Sequence, residues 1–230
     1  MSTDQDRFVP RWRAREATGA VVVVDVLRAF TTAAYAFGGG ARRIWLVETV
    51  EEALAVKAAR PGTLAMGEDR GLRVPGFDFS NSPAEVAAAD VRGRDIVQRT
   101  SAGTYGVVTA TAARRRWCAS LVCASATAAA VTASGLGEPA YVISGWFDDD
   151  HPAEDDRLTA ALIERARTGA PLRAAGTSAA VAASPEAART LGLGAGHVDP
   201  RDVELATRVD AFGFAMEARA TPDGLELTPG

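Results

Sequence analysis

The chain has 230 residues, 47% hydrophobic and 23% charged, with a formal net charge of −4. It is long enough for one sizeable domain or two small ones, and it lacks the basic footprint expected of a nucleic-acid-binding surface. Lys57, the single lysine, follows Val56 inside a helical pattern, which excludes a Gly-Lys-Ser/Thr phosphate loop and disfavours Schiff-base chemistry. Cys118 and Cys123 have neither zinc-knuckle nor redox-pair spacing and read as small buried hydrophobes. Residues 1–20 are charged without an apolar segment, and no apolar run approaches membrane-spanning length. A cytoplasmic protein without membrane contact is therefore expected.

Residues 1–19 read as a polar, Arg-rich arm ahead of a single domain over 20–230. The four valines before Asp25 are β-branched and apolar on both faces, as suits a strand at 20–25 buried between two layers. A helix follows near 28–37 and stops at Gly38-Gly39-Gly40. Residues 43–47 form a second strand, and Thr49 with Glu52 is a capping box opening a helix to about Arg60. Thr63–Met66 is a short strand that delivers the polar loop Gly67-Glu68-Asp69-Arg70-Gly71. Asn81-Ser82-Pro83-Ala84-Glu85 combines a helix cap with a proline in the first turn. The strand Asp95–Gln98 runs into Thr100-Ser101-Ala102-Gly103-Thr104 and a helix to about Arg114. Next come a strand near 119–123, a helix near 126–134 and a strand at Tyr141–Ser144. An acidic run over 148–156 opens a helix ending near Thr168. Helices near 173–182, 185–191 and 200–209 precede a terminal hairpin of 214–219 and 224–228. This alternation implies a layered α/β fold.

The common hydrolase devices are missing from the sequence. There are two histidines, neither in an Arg-His-Gly context; Asp25-Val26-Leu27 is not Asp-x-Asp, and neither cysteine has an arginine six residues on. No Gly-x-Ser-x-Gly elbow occurs. Oxygen chemistry remains. Asp25, Glu68, Asp78, Glu154 and Asp155 fall at strand ends or in adjoining loops, and carboxylates with hydroxyls and water suit Mg²⁺. Arg28, Arg70, Arg73 and Arg99 share those loops and can clamp an anionic substrate. The Thr100–Thr104 turn is either an anion cradle of backbone amides and hydroxyls or a plain connector. Asp25 equally reads as a helix cap paired with Arg28, and Ser82 with Glu85 as a cap.

These segments resemble the 2-phosphosulfolactate phosphatase family, the ComB-like proteins. The matching pieces are Val-Val-Val-Val-Asp-Val-Leu-Arg-Ala-Phe-Thr-Thr at 21–32, Val-Glu-Thr-Val-Glu-Glu-Ala at 47–53 and Gly-Glu-Asp-Arg-Gly-Leu at 67–72. They continue with Gly-Phe-Asp-Phe-Ser-Asn-Ser-Pro at 76–83, Thr-Ser-Ala-Gly-Thr at 100–104 and Glu-Asp at 154–155, with a weaker match through Asp199, Asp202, Glu204 and Asp210. The resemblance implies an α/β fold, a three-layer α/β/α sandwich around a mixed or mostly parallel sheet. It implies a Mg²⁺-dependent phosphatase converting (R)-2-phospho-3-sulfolactate to sulfolactate and phosphate, a step of coenzyme M biosynthesis. By position it implies Asp25, Arg28, Glu68, Asp78, Glu154 and Asp155 as functional groups of catalysis; we expect Asp25, Glu68 and Asp78 to be metal ligands or the acid/base groups nearest the metal, with Glu154 and Asp155 completing that shell or orienting the attacking water. Thr31, Thr32, Asn81, Ser82, Thr100, Ser101, Gly103 and Thr104 would bind the small anionic phosphorylated substrate. The chain departs from the family pattern at Ala102, where the family has Asn, and at Thr127-Ala128-Ala129. A hydrolase of another phosphorylated hydroxy acid and a non-catalytic binder of an anionic metabolite are the competing readings. A homodimer is the default oligomer.

Overall fold

The computed structural model describes residues 7–148, 151 and 153–230. Residues 1–6 of the arm and Asp149 and Asp150 of the acidic run lie outside the described residues. The elements of the first half are β1 (Phe8–Pro10), β2 (Gly19–Val24), α1 (Ala29–Gly38), β3 (Arg43–Leu46), α2 (Val50–Ala59), β4 (Leu64–Gly67), α3 (Pro83–Ala87) and β5 (Asp95–Arg99). Those of the second half are α4 (Gly103–Thr109), β6 (Ala113–Ala119), α5 (Ala124–Ala133), β7 (Ala140–Ile143), α6 (Glu154–Arg167), α7 (Ala174–Ala182), α8 (Pro185–Leu191), α9 (Arg201–Ala206), β8 (Met216–Thr221) and β9 (Gly224–Pro229).

Among the described residues, nine strands join one mixed, mostly parallel sheet in the order β1-β7-β2-β6-β8-β9-β3-β5-β4. One parallel set is β1, β7, β2 and β6, and the other is β3, β5 and β4. The β8–β9 hairpin lies antiparallel between them, so the two sets run in opposite directions. Strand alternation divides the valine run: Val21 and Val23 face one core with α1, while Val22 and Val24 face another with α5 and α6. A third cluster packs Trp45, Ala65 and Val97 against Ala53 of α2. Helices therefore cover both faces, as the layered α/β reading requires.

The sheet is strongly curled. Four strands separate β2 from β5, a span of roughly 24 Å in a flat sheet. Yet the Gln98 side-chain amide at the end of β5 donates to the Ala29 carbonyl just after β2, at 2.8 Å. Twist of about 20–25° per strand accumulates across the hairpin, bringing the carboxyl ends of both parallel sets to one place, with α4 touching both β2 and β3.

Two expected boundaries move. The helix expected to reach Arg114 ends at Thr109, and the strand expected at 119–123 is β6 over Ala113–Ala119, followed by a 3-10 turn at Leu121–Cys123. An Arg-rich stretch reads as a solvated helix end, but here it has cross-strand partners: Arg115 forks onto Glu217 of β8 at 2.8 and 2.7 Å. Residues 8–16 of the arm are part of the fold, as β1 beside β7 and a 3-10 helix over Arg11–Glu16. Among the described residues no helix is long and apolar enough to cross a membrane.

Candidate active site

A cavity of about 640 Å³ opens where the strand ends converge. Its wall includes Asp25, Arg28, Glu68, Asn81, Ser101 and Asp155, all singled out in the sequence. It also includes Asp156, Arg11, Phe147, Glu186, Arg189 and Leu193, which were not.

Asp25 follows the last residue of β2, and its backbone N–H still pairs with Ala119 of β6. Its carboxylate accepts the Ala29 amide at 2.8 Å and the Gly103 amide. It therefore caps the first turn of α1 and lines the cavity at once. Burial pushes its pKa up to about 7, with the charge of Glu68 adding to the rise, while the amides and Arg28 oppose it. The Leu27–Arg28 peptide is cis. Arg28 is 3% exposed and pairs not with Asp25 but with fully buried Asp202, at 2.8 Å, through Nη1, which also donates to the His197 carbonyl. Asp202 in turn accepts the Ser82 hydroxyl at 2.6 Å and the Ala84 amide at 3.1 Å. One buried carboxylate thus ties α9 and α3 to the Arg28 guanidinium.

Glu68 stands just past β4. Gly67 has a φ of 135°, and a Cβ there would collide with the Arg99 carbonyl, so only glycine lets β4 approach β5 this closely. Glu68 accepts the amides of Gly71 and Ser101 and the Ser101 hydroxyl. Asp156 accepts the Val26 and Gly145 amides, each at 2.8 Å, pinning the ends of β2 and β7 together. Its pKa is pushed well up by burial, then by Asp155 and Asp25. Asp155 is pushed up to about 8 by burial, then by Glu186, with Asp25 a further contributor. Its Oδ1 is buried without a hydrogen-bond partner.

Several sequence candidates do other work. Asp78 accepts the Ala65 amide at 2.7 Å and the Lys57 ammonium at 2.8 Å and is not in the cavity wall. The three-carboxylate set Asp25, Glu68 and Asp78 is therefore not assembled, because Asp78 is tied to the only lysine. Glu154 is exposed while Asp155 and Asp156 are buried. The hydroxyl of Thr31 bonds to Val26 O and Ser120, and that of Thr32 to Arg28 O, bracing the turn after Asp25. Ser82 caps α3 while holding Asp202. Thr100 and Thr104 satisfy each other through amides and hydroxyls. Within this turn the Ser101 and Gly103 amides go to the Glu68 and Asp25 carboxylates, so these two donors are already engaged. Of the departures from the family pattern, Ala102 lines the cavity, whereas buried Thr127 of α5 donates to the carbonyl of Cys123 just before that helix.

Arg11 was missed because it lies in the arm. Its guanidinium donates to the Ser101 carbonyl at 2.7 Å and lies 4.0 Å over the Phe147 ring. Asp156 had a readable signal. Projecting the buried stripe of α6 (Thr159, Ala160, Leu162, Ile163) back by helical periodicity places Asp155 and Asp156 inward and Glu154 outward.

Among the described residues, no three His, Cys, Asp or Glu side chains converge at metal-ligating distance. Asp25 and Glu68 nevertheless fit Mg²⁺, which takes one or two carboxylates and fills its remaining positions with water and substrate oxygens. Both line the cavity, and the Glu68 charge destabilises ionised Asp25 where no cation lies between them.

Fold and cavity together define a layered α/β protein with a carboxylate–arginine cavity at strand carboxyl ends. The chain belongs to the 2-phosphosulpholactate phosphatase family, whose model matches residues 9–188. Similar proteins include a probable 2-phosphosulfolactate phosphatase of Bacillus subtilis, 34% identical over 140 residues, 61% of this chain and 60% of that protein. Another of the same description, from Deinococcus radiodurans, is 41% identical over 143 residues, 62% of this chain and 59% of that protein. The match to a third, from Carboxydothermus hydrogenoformans, is 40% identical over 121 residues, 53% of this chain and 50% of that protein. The chain thus spans between half and about 60% of the length of these relatives. His197 and Asp202, which hold Arg28, lie beyond the family match.

Proposed function

We propose that this chain is a cytoplasmic, Mg²⁺-dependent phosphatase that hydrolyses (R)-2-phospho-3-sulfolactate to sulfolactate and phosphate, a reaction of coenzyme M biosynthesis. The observation that carries this reading is the crowding of buried Asp25, Asp155 and Asp156 beside Glu68 and Arg28 in one cavity, in a family described by that activity. Asp25 and Glu68 would hold Mg²⁺, which supplies charge neutralisation on the phosphoryl oxygens. Arg28 is held by Asp202 and the His197 carbonyl through a single nitrogen and lines the cavity; its remaining N–H groups would stabilise charge developing on the phosphoryl group. Asp155, whose pKa is pushed up by burial and then by Glu186, is the proton donor in this reading, its proton held on a carboxyl that lines the cavity. It donates that proton to the ester oxygen as the P–O bond breaks, while water adds its oxygen to phosphorus and its proton passes to phosphate or solvent.

The test is phosphate release from phosphosulfolactate by the purified chain, with Mg²⁺ and with chelator. Asp25→Asn should lower turnover at least about 10³-fold. It should leave the unfolding midpoint at pH 8 nearly unchanged, because removal of a buried charge offsets the lost Gly103 N–H bond while the amide oxygen still accepts from Ala29. Near-wild-type turnover would take Asp25 out of the mechanism. The wall at Ala102 lacks the amide of the family pattern, which favours testing phospholactate and phosphoglycerate in the same assay. Faster release from either would replace the sulfonated substrate with another phosphorylated hydroxy acid.

A further inference from the structure

The arginines of the cavity wall are not equivalent. Arg28 is neutralised by Asp202, and Arg99 by Asp69 at 2.8 Å, with the carbonyls of Glu68 and Glu48 as further acceptors. Arg11 is committed to the Ser101 carbonyl and the Phe147 ring. Two remain. The guanidinium of Arg70 has neither an ion pair nor a hydrogen bond among the described residues, and Arg189 has only Glu186 at 3.6 Å, beyond hydrogen-bonding distance.

Their placement is specific. Arg70 sits in a tight turn closed by reciprocal backbone bonds between Asp69 and Leu72, at 2.9 and 3.0 Å. Its own amide donates to the Ser101 hydroxyl at 2.8 Å. Its φ of 52° lies in the left-handed region, a conformation that costs a non-glycine residue about 1 kcal/mol and recurs where a side chain has a job. The neighbouring Gly71 abuts Leu193: a Cβ there would meet the leucine at 3.0 Å. Leu193 follows α8, one turn beyond Arg189. Arg70, whose guanidinium has no partner among the described residues, and Arg189, held only by its longer ion pair to Glu186, thus flank one contact in the cavity wall that also contains buried Asp25 and Arg28.

We propose that Arg70 and Arg189 form a second anion subsite that grips the non-phosphate end of the substrate. This deepens the phosphatase reading and rests on it. The ligand class is a short phosphorylated acid with a second strong anion, a carboxylate or sulfonate, a few bonds from the phosphate. Two guanidinium forks in the cavity wall fix that arm while the phosphate reaches the buried carboxylates.

Because sulfolactate retains both arms and has no phosphate, its binding tests the subsite without catalysis. Calorimetric titration of the full chain with sulfolactate and with inorganic phosphate would compare wild type, Arg70→Gly and Arg189→Ala. Glycine is the right replacement at 70 because it takes a positive φ without strain. Each variant should weaken sulfolactate binding about tenfold, and the pair about a hundredfold, with phosphate affinity held within about twofold. Parallel titrations with lactate and isethionate assign the subsite to carboxylate or to sulfonate. Unchanged sulfolactate affinity, or an equal loss for phosphate, overturns the subsite, as does wild type that fails to bind sulfolactate at millimolar concentration. Sulfolactate binding without any ester hydrolysis would instead overturn the phosphatase reading and leave the subsite standing.

Discussion

Asp78 and Asp25 both accept a backbone amide, yet their remaining contacts send them to different roles. The Asp78 side chain is 30% exposed and 2.8 Å from Lys57, so its charge is solvated and paired. Asp78→Ala should cost about 1 kcal/mol of stability and leave turnover within about twofold, as read by denaturant melts and the phosphate-release assay. A hundredfold loss of turnover would return it to the site. Asp25 is buried beside another carboxylate, which makes it chemically useful and costly to ionise. The sequence placed both at loop positions and contained nothing to separate them. Which of them meets a lysine and which meets Glu68 depends on packing. The same holds for Arg28, whose partner Asp202 lies 174 residues away.

At the level of elements, the polar turn before α4 serves the carboxylates. Its Gly103 amide meets Asp25, and a Cβ at 103 would lie 2.7 Å from both Ala29 Cβ and Asp25 Oδ2. Gly103→Ala should therefore displace the Asp25 carboxylate. The expected outcome is a loss of turnover of at least about a hundredfold against a stability loss of about 1–3 kcal/mol, measured on the same preparation. Unaltered kinetics would show that the turn does not position Asp25. In α6 the acidic start was visible as a dipole-matched first turn, and the inward pair was recoverable from the buried stripe. In β6 the sequence misled, since three arginines in a strand make sense only once Arg115 reaches diagonally to Glu217 of β8, which is registered with Trp117.

For the molecule as a whole, the convergence of buried carboxyls makes stability depend on pH. Asp25 rises from 3.8 to about 7 and Asp155 from 3.8 to about 8, and Asp156 is raised as well. Between about pH 4 and pH 8 the folded chain thus binds more protons than the unfolded chain, so stability falls as pH rises through that window. The unfolding midpoint in metal-free buffer should drop by about 5 °C or more from pH 5 to pH 8. Mg²⁺ should recover part of the loss at pH 8 and little at pH 5, where the carboxyls are protonated. A flat or rising midpoint in a thermal-shift series would contradict the buried-charge description. Absence of a Mg²⁺ shift at pH 8 would count against Asp25 and Glu68 as metal ligands.

The amino-acid sequence by itself determined the alternating elements, the terminal hairpin, the layered α/β class and the loops from which the site is drawn. Those are local matters of periodicity, caps and turn residues, written within a few positions of where they act. Tertiary structure decided that the hairpin sits in the middle of the sheet instead of at its edge. It decided that the sheet curls enough to bring Glu68 and Ser101 to Asp25, and that the buried acids of α6 close the cavity. These are long-range outcomes of strand pairing and twist. The chain encodes them only through complementary surfaces far apart in sequence, which no local pattern records.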